Sequence, residues 1–140
     1  MRIVSWNIRA GGGVRVEAIA AQLAAWKPDV VALSEFRGTP ASLWLAEALE
    51  QGGLTYQHST ANPQTPAVNS LLVASRWPIH RLRPRPSPKA PRRWAMFAVS
   101  APTPFALGAM HIPNRVTGTK NSFLDALLEM AQGWRKGPAM

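Results

Sequence analysis

Cysteine is absent from the 140 residues, which removes disulfides, zinc–thiolate sites and thiol nucleophiles together. Acidic residues are scarce at seven, and none lies between Glu50 and Asp125. No apolar run approaches the roughly 20 residues of a membrane-spanning helix. The opening MRIVSWNIRA lacks the charged-then-apolar layout of a secretory signal, so a cytoplasmic protein without a membrane span is the expectation. Internal repeats, coiled-coil heptads and low-complexity tails are missing too. A chain of 140 residues with 46% hydrophobic content suffices for one modest domain, 1–140, and is too short for two separate cores.

Basic residues are plentiful: sixteen Lys and Arg give a formal charge of +9. The stretch without acids carries Arg76, Arg81, Arg83, Arg85, Lys89, Arg92, Arg93, Arg115 and Lys120. Any one of these reads as ordinary solvated surface. As a set they predict a field that attracts polyanions, phosphate backbones foremost.

Residues 2–8 alternate apolar and polar positions like a strand, and Gly11, Gly12 and Gly13 break it. From Val14 to Lys27 the residues Val16, Ile19, Ala20, Leu23 and Trp26 recur at helical spacing, and Pro28 ends the helix. Asp29–Phe36 is a near-continuous apolar run, as for a strand covered on both faces, so the opening unit reads strand, helix, parallel strand. Ala41–Gln51 reads as a second helix, with Leu43, Trp44, Leu45, Ala48 and Leu49 inward and Gly52-Gly53 as its stop. Strands are expected at 55–60, 69–75, 95–100 and 105–112, close enough together for antiparallel hairpins. Trp77–Arg93, rich in proline and arginine, predicts an exposed mobile loop. A final helix is expected over 121–134, with Phe123, Leu124, Leu127, Leu128 and Ala131 inward. The order describes an α/β layered domain.

Candidate chemistry lies at strand ends. Asn7 and Glu35 each end an N-terminal strand, and parallel neighbours bring two such oxygen donors towards one hard cation. The plainer alternatives are that Asn7 caps the turn into the glycines and that Glu35 pairs with Arg37 or Arg9. A glutamate ending an apolar strand is costly unless it is paired or metal-bound, which favours a function for Glu35. His111 follows FALGAM and precedes a proline-fixed turn, a place suited to a general acid or a phosphate donor. Asn69 and Ser70 either donate to a phosphate or simply open the strand NSLLVAS.

Four segments, in order, resemble one superfamily. RIVSWNIRAGG resembles the opening strand of the endonuclease/exonuclease/phosphatase superfamily with its W-N pair, and PDVVALSEFRG the strand that ends in a metal-binding glutamate. NSLLVASRWPI is similar to the central strand read as N-G-hydrophobic-S-R-x-P, and MHIPN to the strand end where a histidine or tyrosine precedes P-N. The resemblance implies an α/β chain forming half of a four-layered sandwich, a mixed sheet with helices on one face. It implies a hydrolase dependent on magnesium or manganese, with Glu35 the principal metal ligand and Asn7 an ancillary one. His111 then contacts the phosphate or acts as acid, Asn114 orients the phosphate, and Asn69, Arg76 and Arg115 are the expected substrate contacts. The partner is a phosphoester, nucleic acid included, attacked by in-line water.

Two family motifs, G-D-x-N and a late S-D-H, do not occur in these residues. Asp125 and Glu129, four apart on the last helix, read as a solvated pair. On that footing the inner face of the sheet is expected to lie uncovered, calling for a complementing chain or self-association. Three readings follow: a phosphodiester hydrolase of nuclease type, incomplete as it stands; an inactive fragment that binds nucleic acid through the basic loop; and a phosphomonoesterase or lipid phosphodiesterase of the same superfamily.

Overall fold

A computed structural model of the chain describes residues 1–113 and 120–134. Strand β1 (Ile3–Asn7) leads through a 3-10 turn at Gly13–Arg15 into helix α1 (Val16–Trp26) and strand β2 (Val30–Phe36). Helix α2 (Pro40–Gln51) follows, then β3 (Tyr56–Ser59) and β4 (Ser70–Ser75). The second half holds β5 (Ile79–Leu82), β6 (Trp94–Val99), β7 (Phe105–Met110) and helix α3 (Lys120–Trp134).

The first sheet has the order β1-β2-β4-β3. It is mixed: β1 and β2 run parallel, joined by the α1 crossover, while β4 is antiparallel to β2 and to β3. One face carries α1 and α2, which bury Val16, Ile19, Leu23, Leu45 and Leu49 against Val31, Leu33, Phe36 and Leu72. At about 25 cal/mol per Å² of apolar surface, this is the dominant stabilising term for the unit. The apolar stripes are narrower than the periodicity predicts. In α2 Leu43 and Trp44 are exposed, and Ser42 takes an inner position where it bonds the glycine loop.

Over β2 and β4 the opposite face is covered by this chain itself, which corrects in part the expectation of an uncovered sheet. Strands β5-β6-β7 form a second, antiparallel sheet, and Ala95, Phe97, Val99 and Ala109 pack on Val30, Leu71 and Val73 of the first. Helix α3 lies on the outer side of that second sheet through Phe123 and Met130, with Leu127 partly buried between them, against Trp94 and Met96. Its inward stripe is therefore Phe123, Leu127, Met130, and the expected Leu124 and Leu128 point to solvent. The result is helices, sheet, sheet, helix within one chain. What stays open on this face is β1, whose Ile3, Ser5 and Asn7 are exposed, Ile3 at 43%.

The segment expected as a loop from Trp77 to Arg93 contains a strand. Ile79–Leu82 pairs with β6 alone and so sits at a sheet edge, a place where flanking prolines are tolerated because no ladder bond is needed on the outer side. No helix among the described residues is long and apolar enough to cross a membrane.

Candidate active site

The tips of β1 and β2 lie side by side, with Asn7 opposite Ser34 in register. In β1 the side chains of Val4 and Trp6 enter the helix-side core, so Asn7 belongs to the other face, towards the second sheet. Its Oδ1 accepts the Arg9 N–H at 3.0 Å, which closes the turn into the glycines and leaves a lone pair of that oxygen unused by this bond. Turn capping and ligand supply are thus compatible at Asn7.

Glu35 is placed by a β-bulge. Between Ser34 and Phe36 the β2–β4 register slips, and Glu35 takes φ +58, left-handed backbone in a residue that is not glycine. Without the bulge, alternation would send Glu35 to the helix side beside Leu33. With it, Phe36 takes the buried helix-side place and Glu35 is released at the strand tip. The Glu35 carbonyl accepts the Gly11 N–H at 2.8 Å, which fastens the bulge to the glycine loop. Gly11, at φ +76, has Ser42 Oγ 2.9 Å from where a Cβ would stand, so the close approach requires glycine.

The carboxylate is oriented by a relay. Arg37 Nε donates to Asn69 Oδ1 at 2.7 Å, and Asn69 Nδ2 donates to Glu35 Oε1 at 3.2 Å. A guanidinium only donates, so it fixes which end of the Asn69 amide faces Glu35. Neither arginine expected to pair with Glu35 does so directly: among the described residues the one salt bridge joins Arg76 and Asp29. Half-buried Glu35 thus keeps an oxygen outside this relay.

His111 follows β7 at the same end of the second sheet, and its backbone N–H donates to the Arg93 carbonyl at 2.7 Å. Its pKa is pushed below the ordinary histidine value by burial first and by the Arg93 guanidinium second, while the Glu35 carboxylate acts in the opposite direction. That last influence is the weakest of the three, and among the described residues no hydrogen bond joins Glu35 to His111. Arg93 also borders a groove of about 770 Å³ between the 86–93 segment and α3, lined further by Lys89, Ser87, Ser122 and Glu129.

Asn7, Glu35 and Asn69 therefore meet at one end of the first sheet, and His111 stands near enough to feel the Glu35 charge. Arg76 is not among them. It follows β4 at the far end of the strands, where its Nε bonds Asp29 Oδ1 at 3.1 Å. A backbone N–H from Arg2 and the Arg76 guanidinium hold the Asp29 carboxyl below its ordinary range, against the effect of burial. Asn114 and Arg115 lie outside the described residues. Arg37 and Arg93 were missed as site residues. Arg37 stands two residues past Glu35 and Arg93 inside a basic run, and neither position signals a long-range contact.

The donors fit a hard divalent cation. A carboxylate and an amide oxygen at adjacent strand tips suit magnesium, which commonly binds through one or two carboxylates and keeps water and phosphate oxygens as its other ligands. Among the described residues no group of three His, Cys, Asp or Glu is arranged to hold a metal, so a closed cage of the zinc type does not fit.

The family model described as "Endonuclease/Exonuclease/phosphatase family" matches residues 4–138. Solved structures with a similar fold include an endonuclease/exonuclease/phosphatase from Beutenbergia cavernae DSM 12333, 23% identical with a TM-score of 0.63. They also include a 3'-5' exonuclease from Neisseria meningitidis (21%, TM-score 0.69) and an AP endonuclease from Archaeoglobus fulgidus (15%, TM-score 0.70). These alignments cover 97%, 98% and 99% of this chain but 44%, 54% and 53% of the respective structures, so the chain spans about half their length. No curated protein matches the sequence.

Proposed function

The chain belongs to the endonuclease/exonuclease/phosphatase family, and on that premise we propose that it carries the Glu35 half of a divalent-metal-dependent phosphoester hydrolase site whose substrate is a phosphodiester of nucleic acid. The observation that carries this reading is the bulge. A strand otherwise largely buried on both faces breaks register and accepts left-handed backbone at a single residue, and that residue is a carboxylate held by Asn69 whose charge reaches His111. Strain of this kind persists where the surrounding structure over-determines it, which is common at functional sites.

In this reading Glu35 holds magnesium or manganese, Asn7 Oδ1 assists, and the relay through Asn69 and Arg37 keeps the carboxylate aimed. The metal, when bound, supplies charge stabilisation for the phosphoryl oxygens. His111 presents its imidazole to a phosphate oxygen on the second-sheet side, and Asn114 orients the same group. Asn69, expected as a substrate contact, acts on substrate through Glu35. Arg115 remains an expected phosphate contact, whereas Arg76 lies at the opposite end of the strands and has no part in binding.

Nucleic acid is favoured over a small phosphoester or a lipid because Arg83, Arg85 and Lys89 stand exposed beside the same end of the sandwich. The same observation supports the second reading, a non-catalytic nucleic-acid binder. Magnesium- or manganese-dependent nicking of plasmid DNA by the purified chain, abolished by Glu35→Ala, is the expected result. Nicking that persists in Glu35→Ala overturns the assignment of Glu35, and no nicking at any metal concentration overturns catalysis by these 140 residues alone.

A further inference from the structure

Among the described residues two arginines bond histidine rings, and they meet opposite nitrogens. Arg93 Nη1 lies 3.4 Å from His111 Nδ1, and Arg81 Nη1 lies 3.0 Å from His58 Nε2. A guanidinium has five N–H donors and no acceptor, so the ring nitrogen that meets it must be the bare one. In neutral His111 the proton is then on Nε2, and in neutral His58 it is on Nδ1.

The first pair is built into the fold. Arg93 and His111 flank the cross-strand pair Trp94 and Met110, and the His111 N–H to Arg93 carbonyl bond of 2.7 Å fixes one backbone against the other. The guanidinium and the imidazole therefore leave adjacent strand ends in a set register. A histidine facing a carboxylate through Nδ1 would be drawn towards the imidazolium; one facing a guanidinium is held neutral.

We propose that Arg93 is a positioning residue that fixes His111 with its proton on Nε2, so that His111 meets the substrate phosphate as a neutral hydrogen-bond donor rather than as an imidazolium acid. This rests on the reading that His111 faces the phosphate, but the tautomer itself exists without substrate or metal and is measured without either. Burial and the Arg93 charge, which both disfavour the imidazolium, act in the same sense.

The test is a two-bond proton–nitrogen correlation spectrum of the full chain labelled with 15N-histidine, at about pH 8 where free histidine is neutral. Only three histidines are present, His58, His80 and His111, so assignment needs one His111→Gln spectrum. His111 is expected to show Nδ1 at the unprotonated position and Nε2 at the protonated one, with His58 showing the reverse. In Arg93→Met the His111 nitrogens shift towards the averaged pattern of exposed His80, while the reversed His58 pattern persists and reports an intact fold. Arg93→Lys, which keeps a donor, retains the wild-type pattern. A proton on His111 Nδ1 in the wild-type chain overturns the proposal, as does an Arg93→Met spectrum in which His111 is unchanged. If the tautomer is as stated and the chain nicks no DNA, the phosphate contact falls with the functional reading and the control of the His111 tautomer by Arg93 stands.

Discussion

Replacing Glu35 by alanine and by glycine should reverse the usual order of the two in a β-strand. At φ +58 any residue with a Cβ carries the cost of left-handed backbone, about 1 to 2 kcal/mol, and glycine does not. Against that relief stands glycine's larger loss of backbone freedom on folding, about 0.5 to 1 kcal/mol. Both variants lose the Asn69 bond to the carboxylate, about 1 kcal/mol, and that common loss cancels in the comparison. With each range taken at its middle, glycine is expected to be the more stable by about 0.7 kcal/mol, whereas at a regular strand position alanine would lead by a similar amount. With a urea slope of about 2 kcal/mol/M the midpoints separate by roughly 0.3 to 0.5 M, readable by fluorescence of the six tryptophans. An alanine midpoint above that of glycine would refute the bulge, and with it the account of how Glu35 is delivered to the site.

Two further outcomes follow from charged groups outside that bulge. His58 titrates at 6.5 when unfolded and lower in the fold, because burial first and then Arg81 and Arg83 disfavour its charged form. Below that pH the unfolded chain takes the proton first, so stability is full above pH 6.5 and declines as pH falls towards the folded value; His58→Gln should flatten this decline in urea titrations between about pH 7 and 5. For oligonucleotide binding followed by anisotropy, removing exposed Arg83, Arg85 and Lys89 together should reduce the slope of log affinity against log salt by about 2 to 3, while Arg76→Ala, ion-paired with Asp29 at the far end, leaves it unchanged.

The first half of the fold was legible because its signals are local. The apolar run of β2 and the three-and-four spacing of Val16, Ile19 and Leu23 each report burial within a dozen residues, and a parallel pair joined by a helix follows from them. Strand β5 was hidden because its stability comes from one neighbour only. Ile79 and Leu82 carry a short apolar signal, but Arg81 between them is also turned inward, its guanidinium 5.3 Å from the Trp94 ring centre and 5.7 Å from that of Phe97. A positive charge in a proline-rich run reads as solvent-facing, yet the arginine here spreads over aromatic faces and bonds His58. The expectation of a bare first sheet had another origin: β6 and β7, whose Ala95, Phe97, Val99 and Ala109 cover part of it, were read as strands but not as a second layer.

The candidate site shows the same division in sharper form. Strand ends named Asn7, Glu35, Asn69 and His111, because open sheets gather ligands at strand tips and these four carry the chemistry there. How Glu35 reaches the site was not legible. Ser-Glu-Phe continues the strand pattern without a glycine, so nothing marks the residue at which register slips, and the slip seats Phe36 in the helix-side core. Nor does sequence show that Arg37 acts on Glu35 through an asparagine 32 residues further on. Aiming a carboxylate thus draws on three separate features: a phenylalanine seated in the core beyond the slip, a glycine loop that takes up the Glu35 carbonyl, and an arginine that orients an amide. Loss of any one should leave Glu35 present in the sequence and displaced from the strand tip.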